Sequence, residues 1–232
     1  MSSETAEHTA AQATARTTGP AAGGTGAALP LTVGFDLDMT LIDSRPGIRA
    51  AYLELSAQTG TYIDADAAVT RLGPPLDEEL AHWFPEERIP EMADRYRALY
   101  PTHAIDPTPA MPGAREAIEA VRALGGSAIV VTAKHEPNAR LHLDHLGLRP
   151  DVLVGWLWAE AKADALRAHG ASVYVGDHVG DVRGARKAGA LSVGVPTGPC
   201  SEEELRAAGA DVVLPDLRAL PEWLRAHAAS LA

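Results

Sequence analysis

Leu31-Thr-Val-Gly-Phe-Asp-Leu-Asp-Met-Thr-Leu-Ile42 is an apolar run that carries two carboxylates two residues apart. Side chains of a strand alternate with period two, so Asp36 and Asp38 share a side only while the chain stays extended, and beyond them it must turn. Two acids at the carboxyl end of a strand suit a division of labour. One binds a hard cation and attacks an electrophile, while the other handles a proton. Taken alone the pair also fits a solvated turn, because Asp favours turns. The partners supplied by the rest of the chain decide between these readings.

Immediately downstream, Ser44-Arg-Pro-Gly47 reads as a helix start with Ser44 as cap, and Ile48, Tyr52, Leu53 and Leu55 give a helical apolar pattern that ends at Gly60. Further helical patterns cover residues 65–72, 76–84 and 89–100, punctuated by Gly73-Pro-Pro75, Pro85, Pro90 and Pro101. The expectation is a small helical module over residues 44–108, spliced in after the first strand. Asp106-Pro-Thr-Pro109 and Met111-Pro-Gly113 mark its far border, as a hinge would require.

From Gly113 the pattern changes to an alternation of helices and short apolar runs. Helices are expected over 114–124, 136–146, 159–169 and 181–188, with strands over 127–132, 151–155, 172–177 and 191–195. A helix over 201–209, an edge strand over 211–214 and a terminal helix over 217–224 follow. Strands that are apolar throughout and separated by helices predict an α/β fold, a parallel sheet covered on both faces, formed by residues 30–43 and 109–232.

Composition narrows the function classes. A net charge of −11 argues against a non-specific nucleic-acid surface, although a bound metal can still invert the field inside one site. No stretch reaches the apolar length needed to cross a bilayer. Residues 1–29, rich in Ala, Thr, Gly and Ser, lack the basic start and apolar segment of a secretory signal and read as a disordered tail. Cys200, the single cysteine, has no internal partner, which fits a reducing cytoplasm.

In a sheet of this kind, ligands bind outside the carboxyl ends of the strands. The polar residues there are Asp36-Leu-Asp38, Thr132-Ala-Lys134 and Gly176-Asp-His-Val-Gly-Asp181, with Lys162 on an intervening helix. In this order they resemble the haloacid dehalogenase-like hydrolase superfamily, over about residues 32–198. The resemblance implies a Rossmann-like, doubly wound core with an inserted α-helical cap of the kind found in phosphoglycolate phosphatase-like members. It implies Asp36 as nucleophile, Asp38 as general acid and base, and Thr40 as a loop-fixing residue. Thr132 becomes the phosphate-binding hydroxyl, Lys162 the cation of the site, and Asp177 and Asp181 the acids that hold Mg²⁺.

Physical chemistry supports these roles. Phosphate monoesters hydrolyse very slowly unaided, so positioning and charge neutralisation must supply most of the acceleration. Mg²⁺ prefers oxygen ligands, and Asp36, Asp177 and the Asp38 backbone carbonyl are suitable. Lys134 and Arg45 are candidate substrate contacts, together with Arg71 and the Gly73-Pro-Pro-Leu76 loop. His135 could also reach substrate, and His178 could support the metal-binding acids. Met39 stands where the phosphatase branch often has Gly, which makes the turn after Asp38 bulkier, and Ala163 replaces the common Pro after Lys162. Asp38 favours phosphoryl chemistry, since dehalogenases of the superfamily have a different residue there. The leading expectation is a Mg²⁺-dependent phosphatase for a small soluble phosphomonoester. The rivals are a phosphomutase or phosphotransferase of the same fold and a non-catalytic binding module.

Overall fold

The computed structural model describes residues 31–231, so the tail expected over residues 1–29 lies outside the described residues. Six parallel strands form one sheet in the order β3-β2-β1-β4-β5-β6. The strands are β1 (Thr32–Phe35), β2 (Ser127–Val131), β3 (Val152–Val154), β4 (Val173–Gly176), β5 (Leu191–Gly194) and β6 (Val212–Val213). The chain builds outward from β1 through β2 to β3, then crosses back to place β4 on the other side of β1. That reversal makes the sheet doubly wound and opens a crevice beyond the carboxyl end of β1, where Asp36 emerges.

Period-two alternation explains why the strands are apolar on both sides. Val33, Phe35, Ala128, Val130, Val173 and Val175 face a core shared with α5 (Ala114–Ala123), α6 (Glu136–His145) and α10 (Leu220–Leu231). Ile129, Val131 and Tyr174 face the opposite way, against Leu166 of α7 (Lys162–Ala168) and Ala185 of α8 (Val179–Ala188). Helix α9 (Glu202–Ala207) packs Leu205 beside Val182 and Cys200.

Between β1 and α5 the chain forms α1 (Arg45–Thr59), α2 (Ala65–Ala68), α3 (Leu76–Leu80) and α4 (Ile89–His103). These helices close a core of their own, in which Tyr52, Leu55, Met92 and Tyr96 are buried. Helix α1 ends where expected, at Gly60, whose φ of 68° is the left-handed conformation that glycine adopts without a Cβ penalty. The Ser44 side chain makes no capping bond and is buried, so Pro46 in the first turn is the surviving start signal.

Two differences from the sequence pattern have local causes. Helices α2 and α3 are single turns, shorter than 65–72 and 76–84, because their segments dissolve into turns around Gly73-Pro74-Pro75 and Pro85. Pro101 does not end α4. It sits in the last turn, where burial of Tyr100 and Ala104 carries the helix past one missing N–H. Among the described residues, no helix is long and apolar enough to cross a membrane.

Candidate active site

Asp36 follows the last residue of β1 and its backbone N–H donates to the Val175 carbonyl, which extends the β1–β4 pairing by one step. The chain then turns sharply. Leu41 and Ile42 both donate to the Leu37 carbonyl, and Met39 donates to Ile42. Met39 holds φ 61°, the left-handed region that glycine tolerates best and that costs other residues roughly 1–2 kcal/mol. Burial of its side chain and a 2.7 Å hydrogen bond from the Thr197 hydroxyl to its carbonyl offset that strain. The bulk expected at this turn therefore lies inside the protein.

The turn directs the two acids to different partners. Asp36 joins Asp177 and Asp181, with one carboxylate oxygen from each lying within 4.8 Å of the others, and all three residues are buried. Lys162, 0 % exposed, donates to Asp36 at 3.0 Å, to Asp181 at 2.7 Å and to the Tyr174 hydroxyl at 2.9 Å. The Tyr174 hydroxyl in turn donates to the Val131 carbonyl at 2.6 Å, fixing it from β2. Thr40 donates to Asp177 at 2.8 Å and so ties the loop after β1 to the end of β4.

Asp181 has both oxygens engaged, one by Lys162 and the other by the His178 N–H at 3.1 Å in a capping box that starts α8. His178 completes that box by accepting the Gly180 N–H on Nδ1, and its ring lies against Trp158. Its place is thus at the helix end.

These charges fit a divalent cation. Three buried carboxylates against one ammonium leave two negative charges, and the all-oxygen donor set suits Mg²⁺. Space is reserved as well. A Cβ on Gly198 would stand 1.8 Å from the second Asp177 oxygen, so only glycine leaves that carboxylate its place. Asp38 contributes no carboxylate to the cluster. Any metal contact it makes falls to its backbone carbonyl.

Without a cation the crowding appears as proton affinity. Burial pushes Asp36 up to about 7, with Lys162 opposing and Asp181 and Asp38 adding to the rise. Burial, Asp181 and Asp36 likewise raise Asp177 well above the carboxylate range, against the Thr40 hydrogen bond and Lys162. Both acids bind protons more tightly folded than unfolded, so metal-free stability falls as pH rises from about 4 through about 7. Cation binding requires the ionised forms, so stabilisation by Mg²⁺ grows over the same interval. The melting temperature in Mg²⁺ minus that in EDTA is expected to be several degrees larger at pH 7.5 than at pH 5. Equal differences at the two pH values would contradict this account of the cluster.

Asp38 points elsewhere. Burial alone would raise it, but Lys134, donating at 2.8 Å, holds its carboxyl below the ordinary range. Lys134 also lies 4.6 Å from the centre of the Tyr100 ring, so one core cation touches both Asp38 and helix α4. Thr132 follows the last residue of β2 beside this pair and accepts the Lys134 N–H on its hydroxyl at 3.2 Å. The link to α4 is doubled by a 3.0 Å hydrogen bond between the Tyr100 hydroxyl and His142 of α6.

Asp36, Asp38, Thr132, Lys134 and His135 form the floor of a cavity of about 280 Å³ between the sheet and the helical module. Arg71, residues 73–76, Tyr96, Arg97 and Tyr100 form its roof, and Trp156 from the loop after β3 stands at the side. Arg45 is not among the lining residues. Asp43, two residues away, holds its guanidinium in a bidentate pair at 2.8 Å. Tyr174, Trp156 and Arg97 escaped the sequence reading. Arg97 stacks 4.7 Å over the Trp156 ring, joining module to core between residues far apart in the chain.

Comparison with known proteins places this geometry in context. The family model described as haloacid dehalogenase-like hydrolase matches residues 33–195. A phosphoglycolate phosphatase of Xylella fastidiosa is 34% identical, the match covering 76% of this chain and 85% of that protein. The tyrosine-protein kinase PtkA of Mycobacterium tuberculosis is 32% identical over 73% of this chain and 63% of its own length. Among solved structures, a predicted phosphatase from Clostridium acetobutylicum superposes with a TM-score of 0.74 at 26% identity, covering 85% of this chain and 99% of that one.

Proposed function

The chain belongs to the haloacid dehalogenase-like hydrolase family, and on that premise we propose that it is a Mg²⁺-dependent phosphatase that hydrolyses a small phosphomonoester through an aspartyl-phosphate on Asp36. The observation that carries the reading is the separation of the two acids. Asp36 lies in the cation-demanding cluster with Lys162, while Asp38, two residues on, is held apart by Lys134.

The residues divide the work as follows. Asp36, Asp177 and the Asp38 carbonyl would hold Mg²⁺, which when bound would supply the charge neutralisation that lets a carboxylate meet an anionic phosphoryl group. Lys162 keeps Asp36 oriented, and the Thr132 hydroxyl is placed to bind a phosphoryl oxygen. Asp36 attacks phosphorus as the bond to the leaving oxygen breaks, and Asp38 gives that oxygen its proton. Asp38, now ionised, takes a proton from water as the water attacks phosphorus and the bond to Asp36 breaks. Phosphate departs and both acids return to their starting states.

Lys134 poises Asp38 between these roles. Its charge holds the empty-site carboxyl ionised, and the arriving dianion raises the proton affinity again. Lys134→Met removes the downward pull. The basic limb of the pH profile of kcat/KM, along which Asp38 loses the proton it must give to the leaving oxygen, is expected to move up by at least about one unit, with a loss of about tenfold or more in rate at the optimum. An unmoved limb would show that Lys134 does not set Asp38.

The helical module of residues 44–108 is read as a cap over the site, and the protein as a cytoplasmic enzyme for small metabolites. The rival, transfer of the phosphoryl group to an acceptor other than water, is favoured by the name of the PtkA relative. Phosphate release from a panel of phosphomonoesters in Mg²⁺, with EDTA as control and added alcohols as competing acceptors, tests the proposal. No phosphate from any ester, or phosphate recovered only on the alcohol, would overturn it.

A further inference from the structure

The cavity roof carries information about the leaving group, on the premise that the site is a phosphatase. At about 280 Å³ the cavity stands at the small end of small-molecule sites, roughly 300–1,000 Å³. Three Lys or Arg side chains line it, and each is already matched. Lys134 is held by Asp38. Arg71 makes a bidentate pair with Glu79 at 2.6 and 3.0 Å, and Glu79 is fixed further by the Trp83 indole N–H at 3.1 Å. Arg97 lies between Asp94 and Asp77 at 3.3 and 3.5 Å and stacks on Trp156. The same wall presents Asp77, Glu78 and Glu79 in succession; Glu79 is spent on Arg71 and Asp77 shares Arg97 with Asp94, so the excess negative charge rests on Glu78 and on the two acids that divide Arg97.

A leaving group bearing its own carboxylate or second phosphate would meet this acidic wall with no unpaired Lys or Arg to receive it, and like charges brought together in a partly desolvated cleft repel. Hydroxyl groups face the opposite situation. Ionised carboxylates are acceptors only, and a row of them on one wall suits a ligand rich in O–H donors. Asn138 on the floor adds both a donor and an acceptor.

We propose that the roof's paired cations and its Asp77-Glu78-Glu79 wall select phosphomonoesters whose leaving group is an uncharged polyol or sugar, and reject those carrying a second anionic group. Glu79 acts as a specificity residue by occupying Arg71. The pairing is a choice of this chain's roof and is independent of the Asp36 machinery below it.

The test compares kcat/KM of the wild-type protein in Mg²⁺ on glycerol 1-phosphate and ribose 5-phosphate with that on 2-phosphoglycolate and fructose 1,6-bisphosphate. The uncharged leaving groups are expected to be favoured by at least about tenfold. Glu79→Gln, which frees Arg71, is expected to raise the ratio for 2-phosphoglycolate over ribose 5-phosphate by about tenfold, chiefly through KM. Preference for 2-phosphoglycolate by the wild type would overturn the leaving-group assignment while leaving the phosphatase reading intact, and an unchanged ratio in Glu79→Gln would overturn the role of Glu79. No phosphate from the four esters with release from other members of the phosphomonoester panel would overturn this inference alone, and no phosphate from any member of the panel would overturn the phosphatase reading and this inference with it.

Discussion

Asp36→Asn is expected to lower kcat for phosphate release by about 10⁴-fold or more while the protein stays folded. An amide oxygen accepts the Lys162 hydrogen bond as a carboxylate does but does not attack phosphorus, so the loss falls on the chemical step. Stability should move the other way in the absence of metal. Asp36 is buried against Asp181 and Asp38 and raised to about 7, so a neutral side chain there relieves repulsion at neutral pH. The variant should therefore melt no lower than the wild type in EDTA at pH 7.5, and should gain less from Mg²⁺. Activity above about 1% of wild type would remove Asp36 as nucleophile, and a lower melting temperature in EDTA would show that the cluster is not charge-strained.

Lys162→Met is expected to cost about 3–5 kcal/mol of stability, the usual consequence of removing one partner of a fully buried ion pair. For a chain of this size that corresponds to a fall in melting temperature of roughly 6–20 °C. The loss arises because Asp36 and Asp181 keep their burial and lose the charge that balances them, while the Tyr174 hydroxyl loses a donor. Turnover should fall by about 10³-fold or more even where the variant is fully folded, since the nucleophile loses its orientation and the phosphoryl group a cation. Near-native activity in folded Lys162→Met, read by phosphate release below its melting temperature, would reduce Lys162 to a structural residue.

The α/β fold of this chain is legible in its sequence. The apolar runs ending in Asp36, Thr132 and Asp177 reveal strands buried on both faces, and such strands put their polar ends on one rim. What the sequence hides is pairing across long separations. Lys134 and Asp38 lie 96 residues apart, and nothing in either neighbourhood announces that they meet. Tyr174 reads as one more strand residue, yet its hydroxyl is a partner of Lys162. Arg45 shows the local case, for a cation close in sequence to the acids finds a partner two residues away, Asp43. Apolar spacing in the inserted module predicts longer helices than form, because it persists through segments that Gly and Pro break into turns. Met39 was the uncomfortable residue of the first motif, and the structure keeps it uncomfortable in its backbone while using its side chain to seal the turn.

The most direct test is to catch the phosphoryl group in transit. Wild-type protein turning over a phosphomonoester in Mg²⁺ is quenched in acid within the first turnover, digested, and its peptides read by mass spectrometry. The account predicts one phosphoryl group, on Asp36, released by hydroxylamine and missing in Asp36→Asn. Phosphate release with no covalent label, or with the label on Asp38, would contradict it.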